Sequence, residues 1–146
     1  MLARLSNSLV LQPSDVSPSQ PDWEVIGLFN PATAVVDGTP LILARVAERP
    51  SELRPGWTGL PRYLPCGAAS VDWFRDSELD ATDPRVVSIR STGELRLTSV
   101  SHLCLFRQSV FADGAWNAAS VVMPAGTLEE FGIEDPRITR IDGTYW

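Results

Sequence analysis

The chain has 146 residues, 44% apolar and 21% charged, an ordinary balance for a globular protein with a core of its own. Twelve Lys and Arg against eighteen Asp and Glu leave a net charge of −6, which argues against broad attraction to nucleic acid or to an anionic membrane surface. No run approaches the roughly 18 apolar residues of a membrane helix, and the opening MLARLSNSLVLQPSD is too polar for a signal peptide, so a cytoplasmic location is expected.

Residues 1–22 read as an extended lead-in, with the proline- and serine-rich SDVSPSQPD from Ser14 to Asp22. Short extended runs follow at 25–29 (VIGLF), 32–36 (ATAVV) and 41–46 (LILARV). The stretch from Glu48 to Gly67 carries four prolines and three glycines. It breaks the pattern and reads as a surface excursion that shapes a pocket rim. Extended runs resume at 85–89, 94–100, 102–106, 119–123 and 137–141, and turn pairs punctuate them: Asp37-Gly38, Thr92-Gly93, Asp113-Gly114 and Asp142-Gly143. No long segment has apolar residues at helical spacing. The fold class is therefore all-β.

Cys66 and Cys104 stand far apart, without the spacing of a metal site or a disulfide framework. Both read as plain buried or half-buried thiols. The single histidine, His102, lies in the alternating run SVSHLCLF and reads as a sheet-face residue. No metal site and no cofactor is expected.

Two decapeptides align without a gap. Asn30-Pro31 and Asp135-Pro136 are each followed by five residues and then Asp-Gly-Thr, at Asp37 and at Asp142. A polar residue opens a strand, proline fixes the entry where no ladder donor is needed, and Asp-Gly turns the chain into the next strand. Asp83-Pro84 begins a third copy but has Arg90 in the aspartate position. Repeated strand-turn-strand units in an all-β chain predict a β-propeller. Residues 23–134 would be a first blade, enlarged by an insertion at about 48–89, and 135–146 would start a second. Eight strands and the start of a ninth amount to about two blades, and a closed ring needs about four to eight. The chain thus reads as part of a longer protein, with open strand edges that suit pairing with another chain, including a homo-oligomer.

In a propeller the first strand of each blade lies nearest the channel, so Asn30 and Asp135 would face one central site, with Arg45 and Arg49 near its mouth. A carboxylate, an amide and guanidinium groups suit sugar hydroxyls, which need donors and acceptors. Against this stands a purely local role: Asp-Pro is a common turn dipeptide, and Glu134 with Arg137 could form a solvated ion pair.

The segments FNPATAVVDG, LILARVAERP, LTSVSHLCLF and GIEDPRITRIDGTYW, in that order, resemble glycoside hydrolase family 130, the β-mannoside phosphorylases and related β-mannosidases. The likeness runs from about Asn7 to Trp146, and GIEDPRIT is its most specific part. The resemblance implies a five-bladed β-propeller with the active site in the central channel, of which this chain would supply about the first two blades. It implies Asp135 as the catalytic acid, with Asn30 and Arg45 holding the mannosyl residue and Arg49 near them. The reaction implied is inverting phosphorolysis of a β-mannoside oligosaccharide to mannose 1-phosphate with inorganic phosphate as co-substrate, or hydrolysis in relatives that lack the phosphate-binding arginines. Those arginines would lie in later blades, so this portion alone would be inactive. The turn QSVFADGAWN, Gln108 to Asn117, departs from the family's serine-rich pattern. The alternative is a truncated, non-catalytic carbohydrate-binding or structural β-domain.

Overall fold

The computed structural model describes residues 8–110 and 114–146. The Asp113-Gly114 turn lies partly outside them, as do the first residues of the lead-in. The described chain is all-β, with two single-turn 3-10 helices at Pro13–Asp15 and Asp76–Glu78.

The main sheet has four antiparallel strands in the order β1 (Trp23–Val36), β2 (Thr39–Pro50), β8 (Val100–Gln108) and β9 (Trp116–Val122). Between β2 and β8 the chain builds β3 (Trp57–Tyr63), β4 (Ala69–Arg75), β5 (Leu79–Asp80), β6 (Val86–Ile89) and β7 (Leu95–Leu97). β3 and β4 form a hairpin, and β5, β6 and β7 form a three-stranded sheet. A last hairpin joins β10 (Arg140–Ile141) to β11 (Thr144–Tyr145).

The runs at 25–29 and 32–36 prove to be one strand. β1 pairs with β2 throughout, and the register shifts between Phe29, opposite Arg45, and Ala32, opposite Leu43. Two residues, Asn30 and Pro31, therefore face one residue of β2. This is a β-bulge whose first residue is left-handed, with Asn30 at φ 44°. Proline is tolerated there because a bulged position owes no donor to the ladder. Asp37 and Gly38, at φ 48° and 78°, close the β1–β2 hairpin as a two-residue turn of the type that matches strand twist.

The stretch from Glu48 to Gly67 is not a surface excursion. β2 runs on through Pro50, and β3 carries Leu60, fully buried, and Tyr63, 2% exposed. Leu60 packs with Leu79, Val87 and Ile89 into a core between the β3–β4 hairpin and the three-stranded sheet. Proline and glycine hid β3 from a pattern search, and β4 (ASVDWFR) lacks clean alternation. The other cores are Ala44, Val46, Cys104 and Phe106 on one face of the main sheet, and Trp23, Tyr63 and Val100 where that sheet meets the hairpin. Leu11 and Val16 of the lead-in pack against the first of these.

Two further expectations are corrected. The run at 137–141 is strand only at Arg140–Ile141, although Thr139 and Trp146 exchange backbone hydrogen bonds at 2.9 Å that extend the ladder. Cys66 is exposed, while Cys104 is buried, and both are free thiols. Among the described residues no helix is long and apolar enough to cross a membrane.

Candidate functional site

Beside β1 and β2 lies a cavity of about 560 Å³ lined by Ile26, Phe29, Asn30, Arg45, Ala47, Arg85, Val86, Leu97, Ser99 and Glu134. Arg45, Arg85 and Glu134 are its charged residues; Glu134 is brought in by the segment 132–136, and a glycine makes that approach possible. Gly132 lies against Ser101 of β8 as an isolated parallel bridge, and Ile133 N donates to Ser101 O at 3.0 Å. A Cβ on Gly132 would sit 2.2 Å from Ser101 O and 2.5 Å from Ser101 N, and the residue has φ 106°. Only glycine can pass there. Tyr63 N donates to Glu130 O at 2.7 Å just upstream, so the segment is anchored before it reaches the cavity.

The next residues meet β1 and β2. Glu134 Oε1 accepts from Arg45 Nη2 at 2.5 Å, while Arg45 Nε donates to Ser101 Oγ at 2.9 Å and the guanidinium lies 5.7 Å from the Phe29 ring centroid. Asn30 Nδ2 donates to Asp135 Oδ1. The local ion pair between Glu134 and Arg137 does not form, since Arg137 Nη1 instead donates to Pro136 O.

The two decapeptides repeat in conformation as well as in sequence. Asn30, Asp37, Asp135 and Asp142 are the non-glycine residues with positive φ among those described, at 44°, 48°, 49° and 48°. They occupy the same two places in each copy. Asp83, which begins the partial third copy, is not among them. Tyr145, directly after the second copy, also reaches the first, its Oη donating to Val35 O at 2.7 Å. A non-glycine residue in this region costs on the order of 1–3 kcal/mol and persists where the surroundings enforce it, often at functional sites.

The sequence-predicted residues divide. Asn30 and Arg45 line this cavity, and Asp135 adjoins it through its hydrogen bond from Asn30. Arg49 shares the face of β2 that carries Arg45, but its Nε donates to Glu24 Oε1 at 2.6 Å, and it lines a neighbouring cavity instead. Sequence reasoning did not place Glu134, Phe29, Ser99 and Arg85 in the site. The acid directly before Asp135 was a visible signal for Glu134, but its partner on β2 was not.

A second polar cluster lies off this cavity. Glu48, fully buried, accepts from Ser19 N at 2.6 Å and from Ser19 Oγ at 2.5 Å, and its Oε2 is 3.4 Å from His102 Nδ1. Burial alone would raise the Glu48 pKa, but the contacts from His102 and Ser19 outweigh it and hold the carboxyl below its ordinary value. Nearby, burial pushes the Tyr63 phenol up to about 12. His102 is thus buried at the sheet face and tied to the lead-in through Glu48. Among the described residues no cluster of three or more His, Cys, Asp or Glu could hold a metal ion.

The chain is 34% identical to β-1,2-mannobiose phosphorylase of Listeria innocua serovar 6a over 152 aligned positions, which cover 97% of this chain and 41% of that protein. The solved structure of β-1,2-mannobiose phosphorylase from Listeria innocua, in its β-1,2-mannobiose complex, matches with a TM-score of 0.78 at 32% identity, over 92% of this chain and 39% of that one. The chain therefore spans about two-fifths of the length of the relative it matches. No protein-family model matches it.

Proposed function

We propose that the cavity beside the Asn30–Asp135 pair is the mannosyl-binding part of a β-mannoside phosphorylase of the glycoside hydrolase family 130 type, built on a five-bladed β-propeller to which this chain contributes one four-stranded blade, β1, β2, β8 and β9, and the start of another. The observation that carries this reading is the hydrogen bond from Asn30 to Asp135 beside the Arg45–Glu134 pair. It sets the Asp135 carboxyl group beside an amide and a fixed guanidinium that line the cavity, which supports the reading. The similarity to a mannobiose phosphorylase over nearly the whole chain supports the same substrate class.

In this mechanism Asp135 is the general acid. Asn30 holds Oδ1, which orients the carboxyl group so that Oδ2 can deliver its proton toward the glycosidic oxygen, directly or through a mannose hydroxyl. Inorganic phosphate, the co-substrate, attacks the anomeric carbon from the opposite face. The glycosidic bond breaks as the new C–O bond forms, and mannose 1-phosphate leaves with inverted configuration. Arg45 donates to hydroxyls of the mannosyl unit, and Glu134 and Ser101 keep its guanidinium aimed. The cations that seat phosphate would come from outside this stretch of chain. Arg49, held by Glu24, would act on a more distant part of the oligosaccharide.

The test uses the complete gene product. β-1,2-mannobiose and phosphate should yield mannose 1-phosphate, and Asp135→Asn should lower the rate by about a hundredfold or more. Full activity in that variant would remove the assignment. Phosphate-independent release of mannose would mark a hydrolase. The short span of the match favours one second reading, a carbohydrate-binding β-domain without catalysis. It requires that β-mannosides bind to the gene product but are never cleaved.

A further inference from the structure

A second cavity, of about 510 Å³, opens between the end of β2 and the β3–β4 hairpin, with Arg49 and Glu24 in its wall, and apart from Arg49, held by Glu24, none of its residues has a part in the mechanism above. Its size is that of a ligand pocket. Trp57 and Trp73 line it; the Arg54 guanidinium covers the Trp73 ring at 3.9 Å from its centroid, so Trp57, 41% exposed, is the indole open to a ligand. Trp57 and Gly59 lie on one face of β3, and Gly59 pairs with Trp73 of β4. A Cβ at Gly59 would come within 3.0 Å of the Trp73 ring, so the missing side chain lets the indole lie across the strand. Arg75 stacks on Trp57 with its guanidinium 5.2 Å from the ring centroid, but it is not part of the cavity wall. It therefore backs the indole from outside.

The rim carries two ion pairs, Arg49 Nε to Glu24 Oε1 at 2.6 Å and Arg54 Nε to Glu52 Oε1 at 2.7 Å. Two carboxylates and two guanidinium groups leave the rim without net charge, which disfavours a phosphate or a polyanion. What fits is a neutral ligand with an apolar face for the Trp57 indole and many hydroxyls for the rim. Pairs this exposed hold little energy and can be redirected to a ligand, offering donors and acceptors together. Arg45 and Arg49 lie four residues apart on the same face of β2, so the two cavities sit about 13 Å apart along that strand.

We propose that the Trp57–Trp73 cavity is a second saccharide subsite, which takes a distal pyranosyl unit of an oligosaccharide whose reacting end occupies the Asn30–Asp135 cavity. The identity of the sugar rests on the β-mannoside reading above; the subsite itself does not.

The experiment titrates the complete gene product with β-1,2-mannobiose and with β-1,2-mannotetraose by calorimetry. Trp57→Ala should weaken the tetraose on the order of tenfold, as expected for a truncated aromatic anchor, and leave the disaccharide unchanged. Trp57→Phe should retain most of the tetraose affinity. In the wild-type protein the indole N–H resonances of Trp57 and Trp73 should shift with the tetraose. A folded Trp57→Ala protein that binds the tetraose as tightly as wild type overturns the proposal. If that variant does not fold, unshifted indole resonances overturn it instead. Asn30→Ala separates the two readings: unaltered disaccharide affinity there sinks the Asn30–Asp135 assignment, while the indole shifts still decide the subsite.

Discussion

Asn30 and Asp135 are 105 residues apart in sequence, yet they share a hydrogen bond and a backbone conformation, with φ of 44° and 49°. Each precedes a proline. Asn30 sits in a β-bulge, and Asp135 follows the close passage of Gly132 over Ser101. The contact therefore depends on two local distortions and on the packing that brings them face to face. Asn30→Ala should lower turnover of β-1,2-mannobiose by about tenfold or more, since it frees the carboxyl group from its orienting donor. Steady-state kinetics of the complete gene product check this, and an unchanged kcat/KM contradicts it.

Gly132→Ala should destabilise the protein by about 1–3 kcal/mol, because the new methyl group meets backbone atoms and the φ of 106° is unfavourable for alanine. The same change should move Glu134 off the cavity wall and Asp135 away from Asn30. Denaturant titration measures the first effect, and loss of mannoside binding the second.

Leu60→Ala should cost about 2–5 kcal/mol, the usual range for a buried leucine. Leu60 is fully buried between the β3–β4 hairpin and the three-stranded sheet. A loss below about 0.5 kcal/mol, the level of a surface substitution, would mean that this region is not a packed core.

Acid should weaken the attachment of the lead-in. Glu48 has a folded-state pKa below its unfolded value, so its stabilising contribution is present above the unfolded pKa and is lost as pH falls through the folded one. Stability should decline below about pH 4.3, the ordinary glutamate value. Glu48→Gln should flatten that decline. An identical acid limb in the variant, measured by thermal unfolding across pH, would contradict the role given to Glu48.

Alkali acts through Tyr63 with the opposite sign. Its folded-state pKa is raised to about 12 by burial. The contribution is complete below the unfolded value of about 10 and is lost as pH rises toward 12, with roughly 2–3 kcal/mol at stake. Tyr63→Phe should remove this alkaline limb. Phenolate absorbance followed together with unfolding provides the check.

The legible part of this protein lay in short-range chemistry. Asp-Gly pairs forecast the turns at 37–38 and 142–143, and the matched X-Pro positions forecast a shared design that the positive φ values of Asn30 and Asp135 then display. β3 was illegible because Pro61 and Gly59 mask a strand whose burial comes from a neighbouring sheet. The cluster of Glu48 with Ser19, 29 residues away, and with His102 was illegible, because Glu48 and His102 each look like an ordinary strand residue until the lead-in folds over the sheet.

By itself the sequence determined the turns at 37–38 and 142–143 and the all-β character of the chain, since φ and ψ preferences act within a few residues. Only the tertiary structure decided that Arg45 meets Glu134 across 89 positions and that Asn30 meets Asp135 across 105. Such pairings depend on strand register and on how closely one segment can lie upon another. Here that limit is set by the missing side chain of Gly132 over Ser101.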